Sequence, residues 1–154
     1  MRKLSILYVL CFLACSVYGQ RKALIEYVSD GDTFYVRMLS GEKERVRLAE
    51  VDCPEKNQEY GLEVKELVSR ILLKGDTVEL DIRSKDRYGR LIAALRFDDQ
   101  QDLATYLVAN GLAWHYKQYS DNKDLAALEV QAKKSGAGLW KNQDAIAPWE
   151  FRRQ

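Results

Sequence analysis

The chain predicts a mainly β fold with helices: a five-stranded Greek-key barrel carrying about three helices. Five short runs rich in β-branched and aromatic residues are separated by turn signals. One long amphipathic stretch lies between the third and fourth runs, and two further helical stretches follow the fifth. That order matches a small barrel of the oligonucleotide-binding type. The 154 residues suffice for one hydrophobic core but not comfortably for two. With 47% hydrophobic and 31% charged residues the composition is that of a folded protein, which sets disorder aside.

The first pair of strands spans residues 24 to 39. Leu24, Glu26 and Val28 alternate with Ile25 and Tyr27, Asp30-Gly31-Asp32 supplies a turn, and Thr33 to Leu39 returns. After the turn Ser40-Gly41-Glu42, Lys43 to Val51 reads as a third strand, with Arg45 and Arg47 on one face and Val46 and Leu48 on the other. Pro54 ends it, because proline cannot donate to a ladder. Tyr60, Val64, Leu67, Val68, Ile71 and Leu72 then fall at offsets 0, 4, 7, 8, 11 and 12, the apolar stripe of a helix. Lys74-Gly75-Asp76 stops it.

Thr77 to Ile82 and Leu91 to Phe97 are the last two strands, joined through Arg83 to Arg90. A short helix carries Leu103, Leu107 and Val108 and ends at Asn110-Gly111. Lys123 to Lys134 forms another, with Leu125, Leu128 and Ala132 inward and a stop at Gly136-Ala137-Gly138. Leu139-Trp140 and Pro148-Trp149 are expected to pack back as a tail anchored by its tryptophans. No internal repeat or linker interrupts this, so one domain from about residue 22 to 150 is the simplest account.

The first nineteen residues stand apart. Arg2 and Lys3 precede an apolar run from Leu4 to Ala14, and small or weakly polar residues lead to Gly19-Gln20. This is the layout of a secretory signal, with an apolar core too short to serve as a mature anchor. Cleavage after Gly19 is expected, giving an exported protein, secreted or periplasmic. A lipid-bearing Cys15 is a second route, ranked below because Phe12 and Leu13 suit that processing poorly.

With the signal removed, Cys53 is the one cysteine left, so no internal disulfide can form and packing must supply stability. Charge falls from 24 basic against 23 acidic residues to 22 against 23, a net of −1. Nothing global attracts a polyanion, so any such site must be a local cluster.

Three clusters carry chemistry: Asp30-Gly31-Asp32-Thr33; Arg47 with Asp52-Cys53-Pro54-Glu55; and Lys85-Asp86-Arg87-Tyr88-Gly89-Arg90. Singly, each is an ordinary turn. Together they set carboxylates and arginines on the connections of one small barrel. Phosphodiester hydrolysis has use for such a set. Carboxylates hold a hard divalent cation, another carboxylate orients or deprotonates a water, and arginine forks match phosphate oxygens.

With those clusters, Val46-Arg47-Leu48, Gly111-Leu112-Ala113-Trp114, Gly138-Leu139-Trp140 and Pro148-Trp149, the chain resembles the staphylococcal nuclease (thermonuclease-like) family from about Tyr27 to Trp149. The resemblance implies calcium-dependent hydrolysis of phosphodiester bonds in DNA and RNA, with water attacking phosphorus and 3′-phosphate ends left behind. It implies calcium ligation by Asp32, Asp52 and the backbone carbonyl of Cys53, and a water-activating role for Glu55. Arg47 and Arg90 would clamp the scissile phosphate. The better-known member has threonine at the position of Cys53. The segment between Glu55 and Tyr60 is also shorter here.

For substrate contacts the resemblance and residue chemistry point to Tyr88, Tyr116 and Tyr119 as stacking surfaces. Arg87, Lys85 and Lys117 are the phosphate candidates. His115, the one histidine, has no Cys or His partners at zinc spacing and reads as a packing residue. DNA or RNA is the expected partner of a monomer with no obligate protein partner. A catalytically silent nucleic-acid-binding or interaction module on the same barrel is the alternative, and the intact set of Asp32, Arg47, Asp52, Glu55 and Arg90 argues against it.

Overall fold

A computed structural model describes residues 19–154. The expected export signal, apart from its last residue Gly19, and the lipid option at Cys15 lie outside the described residues.

Strands β1 (Gly19–Asp30), β2 (Thr33–Met38) and β3 (Lys43–Leu48) form an antiparallel meander. On the other side β1 pairs with β5 (Thr77–Lys85), which pairs with β6 (Leu91–Phe97). Parallel pairing of β3 with β6, Val46 opposite Leu91 and Leu48 opposite Ala93, closes the five strands into the expected barrel. Closure leaves no long free edge. A short β7 (Gln101–Asp102) adds to β6, and β4 (Val51–Asp52) forms a separate ladder with β8 (Trp114–His115).

Helix α1 (Gly61–Ile71) plugs the barrel with Val64 and Val68, both fully buried, as its apolar stripe requires. Helices α2 (Leu103–Ala109) and α3 (Lys123–Ser135) pack on one another. Asp102 caps α2 by accepting from the Thr105 amide, and Asn122 caps α3 by accepting from the Asp124 and Leu125 amides. A 3₁₀ turn, Gly138–Lys141, precedes a short α4 (Pro148–Phe151), giving four α-helices among the described residues where about three were expected. The core is continuous, from Ile25, Phe34 and Val46 through Leu80 and Leu95 to Leu103 and Leu107.

Three expectations are corrected by tertiary pairing. Simple alternation groups Val28 with Leu24 and Glu26, but a bulge between Ile25 and Tyr27 shifts the register of β1. Val28 turns inward with Ala23 and Ile25, while Tyr27 turns outward. The expected strand from Lys43 to Val51 is broken by a bend at Ala49 and Glu50, where a φ of 68° at Glu50 separates β3 from β4. The connection Arg83–Arg90 is shorter than expected: β5 continues through Lys85, leaving a tight turn in which the Asp86 amide donates to the Arg90 carbonyl at 2.9 Å.

Candidate active site

The β1–β2 turn and the β3–β4 break meet at one end of the barrel. The Leu48 amide donates to the Asp32 carbonyl at 2.8 Å, and the Cys53 amide donates to the Asp32 carboxylate at 2.8 Å. Gly31 allows this approach: a Cβ there would stand 2.7 Å from Val64 Cγ1 and 2.9 Å from Cys53 Cβ. The turn is therefore pressed flat against the strand end that carries Asp52.

Arg47 ties the acids together. Its Nη1 donates to the carbonyls of Leu48 at 2.7 Å and Val51 at 2.9 Å, which fixes the guanidinium plane. Its Nη2 donates to Asp52 Oδ1 at 2.6 Å and lies 3.2 Å from Asp32 Oδ2. Two carboxylates thus share a single nitrogen. Burial pulls the Arg47 pKa down, but Asp32 and Asp52 more than reverse it, so the net shift is upward.

The acids outnumber their counter-ions. Burial pushes the Asp52 pKa up, and the neighbouring Asp32 adds to this despite help from Arg152 and Arg47. Asp30 behaves alike: burial raises it first, and Asp32 raises it further. Asp30 Oδ1 is buried and has no hydrogen-bond partner. Asp30 belonged to the sequence motif but carried no assigned role.

Glu55 sits on the connection between β4 and α1. Its amide donates to Gln58 Oε1 at 3.1 Å, and its carbonyl lies against Gly61, where a Cβ would come within 1.8 Å. Glycine at that position lets the loop fold tightly enough to bring Glu55 beside Asp52.

Sequence reasoning missed Arg152. This residue, at the C-cap of α4, donates from Nη2 to Asp52 Oδ2 at 2.8 Å and from Nη1 to Glu55 Oε1 at 2.6 Å. Burial lowers its pKa, and the bonds to Asp52 and Glu55 outweigh that and raise it. Trp149 delivers it. The Trp149 ring stacks on Tyr116 at 5.0 Å and meets Trp114 edge-on at 5.7 Å, and Trp114 lies opposite Asp52 in the β4–β8 ladder. The aromatic tail was legible in the sequence; the pairing of Arg152 with acids about 100 residues earlier has no local signature.

The other expected site residues divide into two groups. Parallel pairing of β3 and β6 sets Ile92 opposite Arg47, so Arg90 enters the sheet beside the Arg47 strand. Its side chain is held by Asp86 at 2.7 Å, and its guanidinium lies 5.7 Å from the Tyr88 ring. Tyr88 is exposed, with the Arg87 guanidinium 4.9 Å from its ring. Lys85 stands on β5 and pairs with Glu44 at 3.6 Å. On the far side of β4, Tyr116 is stacked on Trp149 and Tyr119 packs edge-on against Tyr116, remaining exposed. Lys117 donates to Glu129 at 2.8 Å, which occupies this phosphate candidate with an internal carboxylate. His115 is buried and bonded to Ser120 at 2.9 Å, the packing role expected of it.

The donor chemistry fits a hard cation. The ligands on offer are carboxylate and carbonyl oxygens, and the Asp30 oxygen is unclaimed. Among the described residues no three Asp, Glu, His or Cys side chains close into a cage. A hard cation held here would take its remaining oxygen ligands from water or substrate. Burial, then the charge of Asp32, pushes the Cys53 thiol well above its usual range, so it is neither a thiolate nucleophile nor a soft ligand.

The family model described as staphylococcal nuclease homologue matches residues 45–142, more than half of the chain. The chain belongs to the staphylococcal nuclease family. An uncharacterized endonuclease of Haemophilus influenzae is 33% identical over 150 residues, covering 97% of this chain and 83% of that protein. One from Escherichia coli O157:H7 is 33% identical over 142 residues, covering 92% and 89%. The micrococcal nuclease of Shigella flexneri is 28% identical over 155 residues, covering 94% and 88%. Family membership agrees with the closed barrel and its flanking helices.

Proposed function

We propose that the chain hydrolyses phosphodiester bonds in DNA and RNA with calcium as cofactor. Water attacks phosphorus, the 5′-oxygen leaves, and 3′-phosphate ends result. The coarser part rests on membership of the staphylococcal nuclease family and on relatives named endonuclease and micrococcal nuclease: the chain is a nuclease, a phosphodiester hydrolase. Calcium and the product ends are our reading of the site.

One observation carries that reading. A single part-buried arginine bridges Asp32 and Asp52, with Glu55 held beside Asp52. Asp32, Asp52 and the Cys53 carbonyl would hold calcium, and Asp30, with its free oxygen, would face it directly or through water. When bound, calcium supplies positive charge to a phosphate oxygen. Arg47, always protonated and held between Asp32 and Asp52, neutralises charge that grows on the equatorial oxygens. Arg90, directly before β6 where that strand pairs with β3, supplies a second guanidinium. Glu55 accepts a hydrogen bond from the attacking water and takes its proton.

Release of acid-soluble nucleotides from DNA and RNA tests this, with calcium and then with excess chelator. Activity in calcium alone is expected; equal activity in chelator would sink the calcium assignment. Product ends should accept no label in a reaction that requires a 3′-hydroxyl until a 3′-phosphatase has acted. Glu55→Gln should slow cleavage about 10²- to 10⁴-fold while leaving the melting curve in place. Near-parental turnover would remove the assigned role. Export is likewise our proposal, from the layout of Arg2 to Gln20. A mature protein starting at Gln20 is the expected mass-spectrometric result, and a lipid on Cys15 would overturn it.

A further inference from the structure

Outside the acid–arginine cluster, a row of aromatic and basic side chains lies on the outer face of the barrel. Tyr27, Tyr35 and Arg45 stand in one row across β1, β2 and β3: Tyr27 pairs with Tyr35, and Tyr35 pairs with Arg45. Their strand neighbours Phe34, Val36 and Val46 are fully buried, so this row faces outward. The two tyrosine rings stack at 4.4 Å with 13° between their planes, yet Tyr27 remains 53% exposed. A bulge in β1 is what turns Tyr27 to this face. Bulges that re-aim a single side chain are features rather than defects.

The row is continuous with the active site along two paths. Arg45 lies two residues before Arg47 on the same face of β3, a rise of about 6.6 Å. That spacing is comparable to one phosphate step of an extended single strand. Arg45 Nη2 also donates to the Tyr88 carbonyl at 3.2 Å, which joins the row to the turn carrying Arg87, Tyr88 and Arg90. This guanidinium is bonded to a neutral carbonyl, so its charge is not spent on a carboxylate there. The mature chain is close to neutral, and local cations of this kind are what can hold a polyanion.

We propose that Tyr27, Tyr35 and Arg45 form an auxiliary subsite that binds a single strand of nucleic acid leaving the Tyr88 turn, with bases on the tyrosine rings and a phosphate on Arg45. The occupant is single-stranded, because a duplex offers no free base faces to stack on. Stacking of this kind tolerates any sequence, since every base has a π-face. The inference rests on the nuclease reading and extends its substrate track from the scissile phosphate to nucleotides beyond it.

The test is oligonucleotide binding by the full-length protein in chelator, read by fluorescence anisotropy. Probes are single strands of about eight nucleotides, dinucleotides, and a blunt duplex. Tyr27→Ala and Tyr35→Ala should each weaken binding of the longer strand about 5- to 100-fold, the range for losing one stacked base. Arg45→Gln should weaken it and flatten its salt dependence by about one phosphate's worth. Dinucleotide binding and duplex binding should be unchanged in all three. Tyr27→Phe keeps the ring and should keep the affinity, which separates stacking from loss of fold. Equal weakening for dinucleotide and longer strand, or no weakening for either, would overturn the subsite. Cleavage of dinucleotides by the parent in calcium reports on the nuclease reading separately, so the two ideas fail independently.

Discussion

Asp52 and Glu129 each keep only 1% of their surface exposed, yet the same burial has opposite outcomes at the two. At Glu129 burial works to raise the pKa, but Lys117, Lys133 and the His115 amide outweigh it and the net shift is downward. Their distances are 2.8, 3.4 and 3.1 Å, so one carboxylate has three donors. At Asp52 burial wins and the shift is upward, because Arg47 and Arg152 are shared with Asp32 and Glu55, and the charge of Asp32 adds to the rise. A carboxylate with its donors to itself locks two elements together. Carboxylates that must share donors keep a demand for more positive charge, which is what a cation site needs. Burial alone does not separate structure from function; the ratio of acids to donors does.

The largest expected effect attacks the sharing directly. Arg47→Ala should lower turnover on the order of 10³-fold or more, as for other transition-state arginines, and Arg90→Ala should also lower it strongly. Near-parental rates for Arg47→Ala would mean that the shared nitrogen serves the fold alone. A lesser loss, about 10²-fold, is expected for Gly61→Ala, whose new methyl group must displace the Glu55 carbonyl and with it the carboxylate. Unchanged kinetics there would show that Glu55 is not positioned by this loop.

Glu129→Gln sharpens the contrast from the other side. It should cost about 1.5–3 kcal/mol in urea unfolding and leave turnover of the folded protein unchanged. Its sign with pH follows from the downward shift. Glu129 stabilises the fold fully above the ordinary glutamate range, and this is lost as pH falls through its lowered value. The variant and parent should therefore converge in stability in acid. A variant that matched parental stability at neutral pH would put Glu129 outside the structural class. The smallest effect is expected for Cys53→Thr, within about 1 kcal/mol and with calcium-dependent activity retained, since the expected ligand is the backbone carbonyl. Lost activity would assign the thiol a part in the site that its burial argues against.

Much of the barrel and most of the cluster were legible in the chain because their causes are local. Alternation placed Arg45 and Arg47 opposite Val46 and Leu48, and the helical stripe placed Val64 and Val68 in the core. Asp32 and the Asp52–Glu55 segment were recognisable from their motifs and from the family those motifs resemble, since their spacing is written in short runs. The bulge at Glu26 and the break at Glu50 were not legible, because they answer to pairing partners: β2 for the first, β8 and β6 for the second.

Arg152 marks the limit most clearly. Its sequence neighbours announce only an aromatic anchor, and nothing within reach of local propensity selects Asp52 and Glu55 as its partners. That selection follows once Trp149 stacks on Tyr116, beside the short ladder that holds Asp52. Apart from Tyr27 and Val28 at the bulge, the amino-acid order by itself determined most of the side chains that point inward and which turns carry acids, because neighbours along a chain fix backbone geometry. Which charges share which oxygens was decided only by tertiary packing, because electrostatic partnership depends on distance in space and is blind to separation along the chain.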